Sequence, residues 1–176
     1  IISELKSTPE KLQALLDRKG EVEALANIFY SRNDIFFIGR GLDSCVSYEG
    51  SLKLKEVSYI NSLAITAGEL KHGTIALVED DTLIFALASQ DFLFEKMLSN
   101  IEEVKTRGAR VVGIAKKSQN AIQSKADEVI FIPDCADEIA PLLTVVPLQL
   151  FAYYVAKRRG TNVDKPKNLA KSVTVE

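Results

Sequence analysis

The stretch IFFIGRGLDS, residues 35–44, joins a short apolar run to a glycine-rich turn and the start of a helical pattern. The apolar run suits a strand that is buried on both faces of a sheet. The turn occupies the position at which open α/β sheets bind their ligands. It lacks the third glycine of a dinucleotide-binding fingerprint, however, and no Walker lysine follows it. A tight strand-to-helix turn with Asp43 or Ser44 as the helix cap is an equally good interpretation.

Segments on both sides of this stretch repeat the alternation of strand and helix. Further strands are predicted at Leu63–Thr66, the weakest candidate, and at Thr82–Ala88, Val111–Ala115 and Val129–Ile132. Helices are predicted at Ser44–Tyr59, Phe92–Thr106, Gln119–Ala126 and Glu138–Arg159. Such alternation produces a mainly parallel sheet with right-handed crossovers. We therefore expect an α/β fold, a three-layer α/β/α sandwich around about five strands.

The chain divides into three segments. Residues 1–30 are predicted to form helices that pack on the domain, with Ser7-Thr8 as cap and Pro9 at the first helical position. Gly20 should separate the first of these helices, Lys11–Asp17, from the second, Glu21–Tyr30. Residues 31–160 form the α/β domain. Residues 161–176 are a polar tail without helical period.

The composition excludes several classes of protein. A chain of 176 residues with 47% hydrophobic and 26% charged residues fits one globular domain. A net charge of −2 argues against a nucleic-acid surface, and by inspection we expect no apolar run long enough for a membrane span. Two distant cysteines and one histidine argue against a structural zinc site and suit the reducing cytoplasm. Because the only methionine is Met97, we expect Ile1 not to be the natural start and an N-terminal partner segment to be missing.

One face of the helix predicted at 44–59 carries an unusual row of charges. At about 100° per residue, this narrow arc contains Cys45, Glu49, Lys53 and Glu56. Apolar residues border the row on both sides, unlike a solvated face, and charges in partly dry surroundings can serve as bases, acids or nucleophiles. An ordinary Glu49–Lys53 pair on a helix surface explains the pattern equally well.

Two further candidates lie outside this helix. His72 lies in a short polar turn with a glycine on each side, which indicates a loop, and the unperturbed pKa of a histidine side chain allows proton transfer near neutrality. A single histidine is nevertheless more often incidental. The tail from Asn168 to Glu176 would by its pattern be a frayed terminus.

Three segments together resemble the glutamine–fructose-6-phosphate aminotransferase family. They are EGSLKLKE at 49–56, AGELKHG at 67–73, and the tail from Asp164-Lys165-Pro166 to Val175-Glu176. The resemblance covers nearly the whole chain, and three motifs in this order are highly specific. It implies the second of two sugar-isomerase (SIS) subdomains followed by the C-terminal tail.

The resemblance also implies roles for individual residues. Glu56 looks like the base that moves a proton between C1 and C2 of the sugar phosphate, with Lys53 beside it steadying an enediol-like intermediate or handling hydroxyl protons. Lys171 matches the tail lysine that forms a Schiff base with open-chain fructose 6-phosphate. His72 matches the histidine of ring opening, which reaches the site of a neighbouring subunit in a homodimer. Two positions would contact the sugar, Glu49 as a supporting carboxylate and Ala170 through its backbone.

The resemblance leaves part of such an enzyme unaccounted for. We expect the glutaminase domain and the first SIS subdomain, whose hydroxyl-rich loop holds the sugar phosphate, to lie outside this sequence, and residues 39–41 offer no similar cradle. We therefore expect the chain alone to be inactive or nearly so. The implied partners are fructose 6-phosphate or glucosamine 6-phosphate, without metal or redox cofactor. The alternatives are a non-catalytic SIS module that senses phosphosugars and a related deglycase, against which the tail with Lys171 argues.

Overall fold

Five parallel strands form one sheet in the computed structural model of this protein, which describes residues 1–169. The strands are β1 (Asp34–Gly39), β2 (Asn61–Thr66), β3 (Leu83–Leu87), β4 (Arg110–Lys116) and β5 (Glu128–Ile132). Their spatial order is β2-β1-β3-β4-β5, with Ile35 aligned to Ser62 on one side and to Leu83 on the other. The predicted α/β sandwich and all five predicted strands are confirmed. The order reverses between β1 and β3, so the carboxyl ends of these two strands form the switch point of the sheet.

Two helical layers cover the sheet. One layer contains α1 (Ile2–Asp17), α2 (Lys19–Phe29), α3 (Leu42–Ser58) and α5 (Ala140–Arg159), and the other contains α4 (Phe94–Lys105). The odd-numbered residues of β1 face the first layer, where Phe85 stacks on Phe37 at 5.2 Å and contacts Phe151 at 4.6 Å. The even-numbered residues, Phe36 and Ile38, face α4 and the 3₁₀ helix Ala67–His72. The central strands β1, β3 and β4 read as continuous apolar runs because both of their faces are buried, whereas Asn61 and Leu63 of the edge strand β2 are exposed.

The N-terminal helices differ from the sequence prediction. The first helix begins at Ile2 rather than after Thr8, so Pro9 lies inside it. The hydroxyls of Ser7 and Thr8 do not cap a new helix, because both donate to the carbonyl of Glu4 at 2.9 Å. Gly20 lies within α2, and the break between the two helices falls at Arg18. Ser7 and Thr8 therefore form side-chain hydrogen bonds within α1 and do not cap a helix that begins at Pro9.

Two other segments differ from their predicted extent. The pattern at 119–126 forms only the 3₁₀ helix Asn120–Ser124, and a 3₁₀ turn at Asp91–Leu93 precedes α4. The long helix α5 runs for 20 residues and, by length and composition alone, could cross a membrane. The expectation that no apolar run has this length is thus wrong. Residues such as Leu143, Phe151 and Val155 are instead packed in the core, which explains why this helix is so apolar.

Two glycines allow a matched test of the packing at the turn after β1. A methyl group at Gly39 would lie 2.5 Å from the Asp43 carbonyl oxygen, whereas one at Gly20 would meet nothing within 4 Å. Overpacking against backbone costs about 2 kcal/mol or more, while alanine in an open helix position gains about 0.5–1 kcal/mol over glycine. We expect Gly39→Ala to lower the free energy of unfolding in urea and Gly20→Ala to raise it. Equal effects of the two changes would contradict this account of the turn.

Candidate active site

Helix α3 presents the charged row because its inner face is fixed in the core. Val46 and Leu54 are buried against the sheet and α5, and Ser47 and Ser51 are buried with them. Gly50 allows α5 to approach closely, since a methyl group there would lie 2.7 Å from Leu148 Cδ1. This packing leaves the charged row on the outer side of the helix. The apolar border formed by Tyr48 and Leu52 is itself more than two-fifths exposed, so only one side of the row is dry.

Lys53 lies between two carboxylates on this helix. Its Nζ donates to Glu56 Oε2 at 2.6 Å, and Glu49 Oε1 lies 3.8 Å away. The side chains of Lys53 and Glu56 are 33% and 27% exposed, so the pair is half-buried. The hydrogen bond to Glu56 raises the pKa of Lys53 despite partial burial, and the Glu49 charge adds to the effect. The geometry therefore gives an ion pair whose proton donor and acceptor are in direct contact.

A small pocket adjoins this pair and is closed on one side by the segment that follows α5. Its volume is about 100 Å³, and its walls include Lys53, Val57, Tyr153 and Val163. The Thr161 hydroxyl donates to the Val57 carbonyl at 2.6 Å, which ties the segment to the end of α3. Beyond it, the Lys167 N–H donates to the Tyr59 hydroxyl at 2.8 Å. The beginning of the tail is thus attached beside the Lys53–Glu56 pair.

The structure does not bring His72 to this pair within one chain. His72 lies at the end of the 3₁₀ helix Ala67–His72, whose Ala67 and Leu70 pack into the core on the α4 side of the sheet. Its side chain is 75% exposed, and Glu69 lies 4.0 Å from its Nε2. Helix α3 belongs to the opposite layer. Ala170 and Lys171 lie outside the described residues.

Sequence reasoning missed a buried carboxylate at the switch point. Asp43 is a candidate helix cap by sequence, but α3 has Gly41 at its N-cap position and no side-chain cap bond. The Asp43 carboxylate instead accepts hydrogen bonds from the Ser89 N–H and hydroxyl, both at 2.6 Å. Ser44 does not cap the helix either, because its hydroxyl contacts that of Thr66 at 2.8 Å. These bonds tie the turn after β1 to the ends of β2 and β3.

The surroundings of Asp43 raise the pKa of its carboxyl group. Burial raises the pKa of its carboxyl to about 6, against the opposing effect of the bonds from Ser89 and with a small contribution from the charge of Asp137. The only feature of the sequence that points to this buried carboxylate is an aspartate shortly after a buried strand. That feature does not distinguish a helix cap from a core residue.

A second buried ionisable side chain, Lys116, lies at the carboxyl end of β4. Lys116 is 2% exposed, and its Nζ lies 2.5 Å from Asp137 Oδ1 and 3.1 Å from Asp91 Oδ2. Burial alone would lower the pKa of Lys116, but the hydrogen bonds to Asp137 and Asp91 outweigh it and raise the pKa. Gln119 also donates to Asp91 at 2.9 Å. Lys116 is paired with both neighbouring carboxylates. We therefore interpret the three side chains as a structural ion cluster and not as the site of a reactive amine.

The described residues provide no metal centre. Among residues 1–169, no three histidine, cysteine, aspartate or glutamate side chains are grouped so that they could hold a metal ion.

Comparison with known proteins identifies the family. The sequence pattern of the SIS domain matches residues 28–157, which is most of the chain. The chain belongs to the SIS domain family. This SIS domain is 62% identical over all 176 residues to a glutamine–fructose-6-phosphate aminotransferase (isomerizing) from Caldanaerobacter subterraneus subsp. tengcongensis. It spans only 29% of that relative's length.

Solved structures support the same assignment. The C-terminal domain of glucosamine-fructose-6-phosphate aminotransferase from Francisella tularensis superposes with a TM-score of 0.86 at 36% identity. The alignment covers 93% of this chain and 46% of that one. A glucosamine-6-phosphate deaminase from Thermotoga maritima gives a TM-score of 0.73 at 27% identity, covering 97% of this chain and 48% of that one. The predicted resemblance to the aminotransferase family is confirmed.

Asp43 should make stability depend on pH. Its pKa rises from 3.8 to about 6 on folding, so its contribution is fully present below pH 3.8 and is lost as the pH rises through about 6. The amide of an Asp43→Asn variant can keep a bond to Ser89 and does not ionise. Relative to Asp43→Asn, the wild-type protein should therefore lose on the order of 3 kcal/mol of unfolding free energy across this range.

Urea unfolding between acidic and neutral pH measures this difference. Asp164→Asn, a change of the same charge at an exposed position, is the control and should follow the wild-type curve. Parallel curves for wild type and Asp43→Asn would contradict the assignment of this titration to Asp43.

Proposed function

We propose that this SIS domain is the second sugar-isomerase subdomain of an enzyme that converts fructose 6-phosphate and glutamine to glucosamine 6-phosphate and glutamate. The observation that carries the proposal is the direct contact of Lys53 with Glu56 at 2.6 Å, in a chain that is 62% identical along its whole length to such an aminotransferase. Because the chain spans 29% of that relative, the reaction would need parts outside this sequence. We expect the chain alone to be inactive or nearly so.

Glu56 is proposed as the base that moves the proton between C1 and C2. A carboxylate takes the proton from one carbon, holds it, and returns it to the neighbouring carbon, so that the group ends as it began. Lys53 donates a hydrogen bond to Glu56 and would also donate to a sugar oxygen as negative charge develops there. Glu49, 3.8 Å from Lys53, would help to orient the lysine and contact the sugar.

The tail is proposed to complete the site. Lys171 would form a Schiff base with the carbonyl carbon of the open-chain ketose, whose oxygen leaves as water, and Ala170 would contact the substrate through its backbone. The bonds of Thr161 to Val57 and of Lys167 to Tyr59 support this part of the proposal, because they start the tail beside α3. In this division, residues 31–160 are the SIS domain, residues 1–30 are helices packed on it, and residues 161–176 are the active-site tail.

His72 is proposed to open the sugar ring in the site of a second subunit. Its exposure and its position on the α4 side of the sheet support this role, because a group that serves its own Glu56 would need to lie in the α3 layer. The proposal therefore includes a homodimer. Its partners are the sugar phosphate and the remaining domains of such an enzyme, the compartment is the cytoplasm, and the proposed steps use no metal or redox cofactor.

The separation of His72 from the Lys53–Glu56 pair also favours a second candidate function. A SIS module that only binds or senses phosphosugars would not need these groups in one cleft. The two functions differ in whether Glu56 and His72 are required for turnover, so variants of these two residues distinguish them.

Replacing Glu56 tests the proposed base. In a chimera in which this chain replaces the segment it aligns with in the Caldanaerobacter relative, we expect Glu56→Gln to lower glucosamine 6-phosphate formation by roughly 10²–10⁴-fold. Fructose 6-phosphate binding should be retained. The fold should also persist, because a half-exposed helix ion pair contributes only about 0.3–0.5 kcal/mol. Glu23→Gln, on the exposed side of α2, is the matched control, and unchanged turnover in Glu56→Gln would refute the catalytic role.

A mixed-dimer experiment tests whether His72 acts across subunits. A dimer of one Glu56→Gln subunit and one His72→Asn subunit retains one site with both groups intact if His72 serves its neighbour. Random pairing of two variants that are each inactive should then restore about a quarter of wild-type turnover, because half of the dimers are mixed and each has one intact site. If His72 acts within its own chain, mixing restores nothing.

A further inference from the structure

An open cleft lies between the 3₁₀ helix Ala67–His72 and α4, on the sheet face opposite the Lys53–Glu56 pair. Its volume is about 630 Å³, and three cations line it: Arg40 from the turn after β1, Lys71 from the 3₁₀ helix, and Lys96 from α4. The cleft opens at the carboxyl ends of β1 and β2, the edge at which parallel sheets bind ligands. None of the residues proposed for sugar isomerisation lines it.

Arg40 is held in one orientation at the base of this cleft. Its Nε donates to Asn100 Oδ1 at 2.9 Å, and Asn100 is only 6% exposed. The guanidinium lies against Gly68, where a methyl group would come within 3.3 Å of one terminal nitrogen and 3.5 Å of the other. Within residues 1–169 neither terminal nitrogen donates to a protein acceptor, and Arg40 has no acidic partner. The two N–H groups of the fork are therefore fixed and available.

The acids in the cleft do not neutralise Arg40. Glu103 lies 3.5 Å from the Nζ of Lys71, and Glu102 is paired with Lys125. Glu103 and Glu102 are therefore each paired with a lysine, whereas Arg40 and Lys96 have no carboxylate partner within the described part of the chain. Lys96, which lines the cleft, lies 5.8 Å from the ring centroid of the exposed Phe92. A cleft with two uncompensated cations attracts anions.

We propose that Arg40, with Lys96, binds the phosphate group of a small phosphorylated ligand in this cleft. A guanidinium whose Nε is already bonded offers two parallel N–H groups, and this fork matches the oxygens of a phosphate. The bond to the buried Asn100 reduces the entropy lost on binding, because the fork is oriented before the ligand arrives. This site is additional to the proposed function, since it lies in a different layer from Glu56. The ligand is either free phosphate or a phosphosugar, which share the same tetrahedral dianion.

Titration of the chain with inorganic phosphate, fructose 6-phosphate and neutral fructose tests the proposal. The readout is the NMR signal of the Arg40 Nε–H together with calorimetry. We expect phosphate and fructose 6-phosphate to bind with affinity on the order of millimolar, more weakly at high salt, and fructose to leave the signal unchanged. Equal affinity for both anions would assign the site to free phosphate, and tighter binding of fructose 6-phosphate would assign it to a phosphosugar. An Arg40 signal that does not move with either anion would overturn the proposal.

Three variants separate a specific site from a general charge effect. Arg40→Gln should weaken phosphate binding roughly tenfold or more, whereas Arg158→Gln, the same change of charge at an exposed end of α5, should not alter it. Gly68→Ala keeps the charge but crowds the fork, so it should weaken binding several-fold. Glu56→Gln should leave phosphate binding unchanged even if the proposed catalytic role is wrong. Equal losses in Arg40→Gln and Arg158→Gln, or a loss in Glu56→Gln, would overturn the Arg40 site.

Discussion

The burial of the inner face of α3 is the constraint on which the other features depend. Val46 and Leu54 fix this helix between the sheet and α5, and Gly50 brings it close to Leu148. Burial of two such side chains stabilises the fold by roughly 1.5–3 kcal/mol each, far more than any surface ion pair. The hydrophobic contacts therefore decide the rotation of α3. The direction of its charged row follows from that rotation and not from the charges themselves.

Each end of α3 then organises a different region. At the N-terminal end, Asp43 reaches the Ser89 N–H and hydroxyl, and the preceding Arg40 turns toward Gly68 and Asn100. At the C-terminal end, Val57 and Tyr59 bind the start of the tail. The sheet lies between Arg40's cleft and the Lys53–Glu56 pair. A ligand bound in the Arg40 cleft consequently cannot contact the Lys53–Glu56 pair of the same chain. Any coupling between these two regions would pass through α3 or a second subunit.

Structural features that depend on local sequence patterns could be predicted from the sequence, whereas contacts between residues far apart in the chain could not. The central strands β1, β3 and β4 were predictable because each is an apolar run buried on both faces, and α3 was predictable from its stripe of core residues. The edge strand β2 was the weakest candidate because Asn61 and Leu63 are exposed. The start of α1 was not, because Pro9 resembles a helix start and the bonds of Ser7 and Thr8 to Glu4 do not show in a pattern. Asp43 meets Ser89 across 46 residues and Arg40 meets Asn100 across 60. Of the candidate site, the Lys53–Glu56 contact follows from helical spacing, whereas the isolation of His72 follows from the topology of the sheet.

The size of the pocket beside Lys53 bears on how the proposed active site would be completed. Its volume is about 100 Å³, while sites that enclose a small ligand usually measure about 300–1,000 Å³. Tyr48 and Leu52, which border the charged row, remain exposed. A base that must remove a proton from carbon needs surroundings drier than a half-exposed helix surface, because water weakens each electrostatic contact of Glu56. If Glu56 is the proposed base, the remaining walls of its site would come from outside residues 1–169 of a single chain. The proposed role of Glu56 therefore requires that another segment or subunit cover α3.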